Sequence, residues 1–175
     1  YFLNGFLNGT GFRASISLMD LRDYNLAALS DTQTSRIRQM NSLFTVTSSY
    51  IEVIDSSIDN SYGVFYFISC KANLTRITFT SLNNNDQIAS GNGYGSSPFI
   101  ATILSELTFL EILIRNSSLL FSSRTEKFFI YFESTLANMT NCSFWNSSLN
   151  NHHLFGLVIN NTLQITNFTF FNTSG

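Results

Sequence analysis

Ile165-Thr166-Asn167-Phe168-Thr169-Phe170 is one copy of a phrase that recurs along the chain. Earlier copies read Met139-Thr140-Asn141-Cys142-Ser143-Phe144, Leu107-Thr108-Phe109-Leu110-Glu111-Ile112 and Leu74-Thr75-Arg76-Ile77-Thr78-Phe79. Each has an aliphatic residue, Thr, any residue, an apolar residue, any residue, then Phe or Ile. The closing apolar pair alternates with polar residues, as in a strand that buries one face. The copies begin 33, 32 and 26 residues apart. Self-similarity at such a period points to stacked repeats. Two columns of core residues are expected: Ile77, Leu110, Cys142 and Phe168, and beside them Phe79, Ile112, Phe144 and Phe170.

A second apolar run precedes each phrase by about ten residues. Val64-Phe65-Tyr66-Phe67, Pro98-Phe99-Ile100-Ala101, Phe129-Ile130-Tyr131-Phe132 and Phe155-Gly156-Leu157-Val158 hold that place, and Leu43–Thr47 stands likewise before Val53–Ile58. Every repeat from residue 42 to 175 therefore has two strands and a polar connection of varying length. The longest, Asn83 to Ser97, reads as a projecting loop. Residues 1–41 read as an N-terminal arm with an irregular first coil, in which Ile16, Leu18 and Leu21 form a rung or Leu21–Leu29 a short helix.

Composition agrees with strands. Phe occurs 18 times, Pro once, and charged residues make up 11% of 175; β-branched and aromatic residues suit pleated surfaces. The Asn-rich, Pro-poor lexicon suggests an AT-rich genome such as a protist's. A net charge of −2 with no basic run argues against a nucleic-acid partner. No apolar stretch is long enough for a membrane span. Two cysteines are no disulfide scaffold, and Cys70 and Cys142, two repeats apart, are not expected to pair. Residue 1 is Tyr, so the chain is expected to be a processed product or part of something longer.

Two strands per turn with variable loops resemble the right-handed parallel β-helix of the pectin-lyase-like type. Phe144-Trp145-Asn146 and Phe170-Phe171-Asn172 resemble the degenerate repeats of large surface proteins with that fold. A leucine-rich repeat would want Asn where Leu82, Arg115, Ser147 and Thr173 stand. The resemblance implies an all-β solenoid at the cell surface or outside the cell, and no catalysis.

Nine sequons occur, at Asn8, Asn73, Asn116, Asn138, Asn141, Asn146, Asn160, Asn167 and Asn172, against roughly five by chance for this composition. Asn141 with Asn167, and Asn146 with Asn172, share repeat positions, which fits either covalent N-glycans or a ladder of stacked amides. A lyase would gather acids and an arginine in one groove. Glu106, Glu111, Glu133, Asp55, Asp59, Arg76 and Arg115 fall instead at different repeat positions. His152-His153 lacks a ligand partner at metal spacing. The expectation is a non-enzymatic structural glycoprotein without cofactor or metal: a rigid rod stacking end to end in a filament or coat. Alternatives are a carbohydrate-binding or carbohydrate-active β-helix and an adhesin segment.

Overall fold

The computed structural model describes residues 7–22, 44–61, 65–84, 99–119, 128–149 and 153–174. Within them the chain is all-β and every strand pairing is parallel. It is built in six tiers. The first holds β1 (Leu7–Thr10), β2 (Arg13–Ser17) and β3 (Asp20–Arg22). The second holds β4 (Phe44–Thr47) and β5 (Tyr50–Asp59). The third holds β6 (Phe65–Ile68), β7 (Lys71–Thr80) and β8 (Asn83–Asn84). Tier four has β9 (Ile100–Ile103), β10 (Glu106–Leu110), β11 (Leu113–Arg115) and β12 (Ser118–Leu119). Tier five has β13 (Phe128–Glu133) and β14 (Leu136–Trp145), and tier six β15 (His153–Val158) and β16 (Thr162–Phe171).

One sheet runs β1-β4-β6-β9-β13-β15, in the order of the sequence. A second is built from β2 and β3, β5, β7, β10 and β11, β14 and β16, again tier upon tier. A small third sheet joins β8 to β12, and bridges carry its line through Ser118, Ser148 and Ser174. Strands stand where the second apolar runs predict them, at 65–68, 128–133 and 153–158. The arm also contributes: residues 7–22 pair in register with tier two. The expected 23–29 part of a helix, and residues 85–97 of the long loop, lie outside the described residues.

The core lies between the two large sheets. Phe44, Phe65, Phe67, Phe79, Phe129, Phe132 and Phe144 are fully buried or nearly so. Phe44 stacks on Phe65 at 4.8 Å, and Phe129 meets Phe144 edge-on at 5.1 Å. Each buried ring contributes roughly 1.5–3 kcal/mol of transfer free energy.

The repeat phrase contains a bend. Leu18, Asp55, Arg76, Glu111, Asn141 and Asn167 all have φ between 50° and 58°, the left-handed region that costs an ordinary residue roughly 1–2 kcal/mol. A left-handed residue turns the strand, so the inward side chains follow at i, i+3 and i+5. In tier five these are Met139, Cys142 and Phe144, each 3% exposed or less.

This bend corrects the expected register of tier four. Leu110 pairs with Thr75 and Thr140 and is half-buried, so it leaves the column assigned to it. Ile112 takes that place, level with Ile77 and Cys142, and Ile114 pairs with Phe79 and Phe144. The phrase therefore starts at Phe109, and Thr108 belongs beside Asn73 and Asn138. A slip of two residues keeps strand parity, so hydrophobic alternation cannot reject it; the left-handed Glu111 does. In tier one, similarly, Leu18 is the bend and is 80% exposed, while Met19 packs against the core.

Candidate functional site

Two further left-handed columns mark the other corners. Gly11, Ser48, Ser69, Leu104, Ser134 and Ile159 follow the first sheet; Asn60, Ser81, Asn116, Asn146 and Asn172 follow the second. A corner turns the next N–H inward, away from water and off the ladder. Buried backbone donors need partners. Here the partner is the side chain one tier later. The N–H of Phe12 donates to Ser49 Oγ at 3.0 Å, that of Cys70 to Ser105 Oγ at 3.0 Å, and that of Thr135 to Asn161 Oδ1 at 2.8 Å. The other corners do the same from Met19 to Ser56, Leu82 to Ser117 and Ser117 to Ser147. The hydroxyls in turn donate to the carbonyl two residues back, as Ser117 does to Arg115.

The cysteines occupy such hydroxyl places. Cys70 Sγ donates to the carbonyls of Val46 and Ile68 at 3.2 Å, and Cys142 Sγ lies 3.5 Å from the Thr140 carbonyl. Both are free and buried, as their spacing predicts. Burial pushes both thiols up, against the opposing pull of nearby backbone bonds. Neither is poised as a nucleophile.

Corner grammar also shapes the sequons. At the third corner a left-handed residue is followed by a buried hydroxyl and then a stacked serine. Asn tolerates positive φ better than most residues, so the corner reads Asn116-Ser117-Ser118, Asn146-Ser147-Ser148 and Asn172-Thr173-Ser174. Asn172 Nδ2 donates to Asn146 Oδ1 at 2.9 Å, Asn167 Nδ2 to Asn141 Oδ1 at 3.0 Å, and Ser174 Oγ meets Ser148 Oγ at 3.0 Å. These amides are exposed and form a ladder, with Asn141 and Asn167 on one face. Asn116 and Asn160 are exposed at left-handed corners outside those two pairs. Asn73 is half-buried and donates to the Tyr50 hydroxyl at 3.0 Å. Asn138 is half-buried, with an Oδ1 that has no partner. The side chain of Asn8 lies outside the described residues.

The third corner forms an open groove of about 380 Å³ lined by Asn116, Asn146 and Asn172 with their serines. Beside it Trp145 and Phe171 stack at 5.0 Å, 43% and 55% exposed. The groove offers amide and hydroxyl hydrogen bonds and carries no charge.

Charge collects on the outer face of the second sheet in tiers one to four. Arg76 grips Asp55 through two bonds, the longer 2.9 Å, and this bonding holds the Asp55 carboxyl below its usual range. Lys71 meets Glu106 at 3.0 Å, and Arg115 donates to Thr80. Among the described residues no three of His, Cys, Asp and Glu come together as a metal site. His153 is exposed, and His152 lies outside the described residues. On the first sheet, Tyr131 donates to Glu133 at 3.0 Å; burial first, then Glu133, pushes its phenol up to about 12. Tyr66, 7% exposed, is raised by burial and then by the charge of Glu133. Sequence reading singles out Glu133 alone; Tyr131 stands two residues before it on β13, and only Tyr66 becomes its neighbour through stacking.

The last tier ends the core openly. Ile165 and Phe170 stand in inward columns yet are 44% and 54% exposed, and Leu157 and Ile159 are exposed beside them. Among the described residues no helix is long and apolar enough to cross a membrane. No protein-family model and no curated protein matches the chain.

Proposed function

We propose that the chain is a segment of a right-handed parallel β-helix that serves as a structural extracellular glycoprotein, joining neighbours through its ends in a filament or surface coat. The handedness follows the rule for parallel crossovers. One observation carries the reading: parallel backbone ladders run in register through all six tiers, around a continuous apolar core. Six tiers at roughly 4.8 Å make a block only about 25–30 Å long. A rod arises only when tiers are added.

Exposed sequons at the corners support an N-glycosylated surface, with Asn116 and Asn160 the best acceptors because their amides lie outside the ladder pairs. Intact mass with and without glycosidase tests this on chain passed through a secretory host. Sugar at those two positions is expected; an unmodified chain overturns the glycoprotein reading. The Trp145–Phe171 pair beside an uncharged groove favours a second reading, carbohydrate binding, since aromatic faces and amides suit neutral sugars. Glycan-array binding lost on Trp145→Ala would support it.

A further inference from the structure

The outward position before the third corner changes character along the stack. In register from tier one to tier six it reads Arg22, Asp59, Thr80, Arg115, Trp145, Phe171. Four tiers place a charge or a hydroxyl there, and two place an aromatic ring. Single exposed apolar residues are ordinary, whereas a stacked and exposed aromatic pair is informative.

The corner itself begins at Asn60, Ser81, Asn116, Asn146 and Asn172 in tiers two to six, and the last three open a sequon. Within one tier the sequon does not require an aromatic, because Arg115 stands before Asn116. Between tiers the two go together. Trp145 stands one tier after Asn116 and Phe171 one tier after Asn146, while Arg115 stands one tier after Ser81. The ring appears where the preceding tier offers an acceptor asparagine.

The surroundings of Trp145 give this pattern a physical form. Phe171 stacks on its tier-six side at 5.0 Å. Arg115 stands on its tier-four side, but its Nε donates to Thr80 Oγ1 at 3.0 Å, which draws the guanidinium toward tier three. Among the described residues no cation lies over the indole, and Trp145 is 43% exposed. Its open side therefore faces the tier of Asn116, whose side chain is exposed.

We propose that Trp145 is a platform for the chain's own sugar. The first N-acetylglucosamine on Asn116 folds back over Arg115 and lays its C–H face on the indole, with Phe171 backing the ring. Aromatic rings bury apolar surface of this flat kind well. A free sugar of the same chemistry finds little enclosure in the open, uncharged groove. A sugar tethered one tier away is presented at an effective concentration of about millimolar, with no new contact needed. This rests on the glycoprotein reading above.

The test uses the full chain from a secretory host and its single tryptophan. Site-resolved mass locates the sugars, and acrylamide quenching reports the exposure of Trp145. Quenching is expected to be weaker in the glycosylated chain than in Asn116→Gln, and unchanged in Asn160→Gln. It should stay weak when an endoglycosidase trims the glycan to one sugar, and rise when an amidase removes that sugar from the folded chain. The ring protons of the first sugar should shift upfield in NMR spectra, a shift that Trp145→Ala abolishes. Sugar on Asn116 with quenching equal to that of Asn116→Gln overturns the platform and leaves the glycoprotein reading standing. Sugar on Asn160 but not on Asn116 does the same, and a chain without sugar overturns both. Micromolar chitobiose added to Asn116→Gln separates the two sources of sugar. No shielding of Trp145 is expected; shielding assigns the ring to a free glycan and overturns the proposal.

Discussion

Tiers five and six carry the same phrase and pair at nine positions from Leu136↔Thr162 to Trp145↔Phe171. Their fates differ. Met139 is 2% exposed and Ile165 44%; Phe144 is fully buried and Phe170 is 54% exposed. Nothing in the phrase accounts for this. Burial here belongs to a place in the stack, because a residue needs a tier on both sides to leave water. The end tier is an interior tier without its neighbour.

The largest expected effect breaks that comparison open. Phe144→Ala should lose roughly 3–5 kcal/mol of unfolding free energy, as buried Phe deletions do. Phe170→Ala should lose less than half as much in denaturant titration. Equal losses would show that a neighbour covers tier six in solution. Next comes the third corner. Ser147→Ala strips the acceptor from the Ser117 N–H and should cost about 1–3 kcal/mol. Thr173→Ala, one tier later, should cost less, and Ser147→Cys should be tolerated, since Cys70 and Cys142 fill such corners already.

A smaller effect has the opposite sign. Ile159 holds φ at 54° with a β-branched side chain. Ile159→Asn should gain about 1 kcal/mol by relieving that strain, whereas Ser134→Asn at the matching corner of tier five should gain less. Thermal melts of both variants decide.

The smallest effect separates the charged tiers from tiers five and six. The folded pKa of Asp55 is depressed by Arg76. Its contribution is therefore present above the unfolded carboxylate pKa and fades as pH falls through the lower folded value. Asp55→Asn should flatten this part of the acid-unfolding profile. Asn141→Ala, in the uncharged part of the same column, should leave its pH dependence unchanged.

Much of the strand pattern can be read in the residues, because apolar runs ten apart state two strands per tier. The spacing at i, i+3 and i+5 also stands in the phrase, but its cause does not. A left-handed φ has no unique residue: Arg76, Glu111 and Asn141 all adopt it. With only parity as a guide, tier four reads two residues out of place. The corner hydroxyls look like ordinary loop serines, since their partners lie 26 to 37 residues away. The sequon asparagines stand plainly in the sequence; that positive φ and the buried hydroxyl favour much of that spelling does not.

The direction of the corner bonds also bears on how the chain emerges during synthesis. Tiers one, three, four and five take a side-chain acceptor from the next tier, so those corners stay open until it leaves the ribosome. At roughly 5–20 residues per second, the wait for the following 26-residue tier lasts about 1–5 s. Until then the growing tip displays unmet corner N–H groups, two of them in tiers one and three, and a row of uncovered apolar side chains. Folding by this route advances like a ratchet, with each arriving serine locking the turn before it.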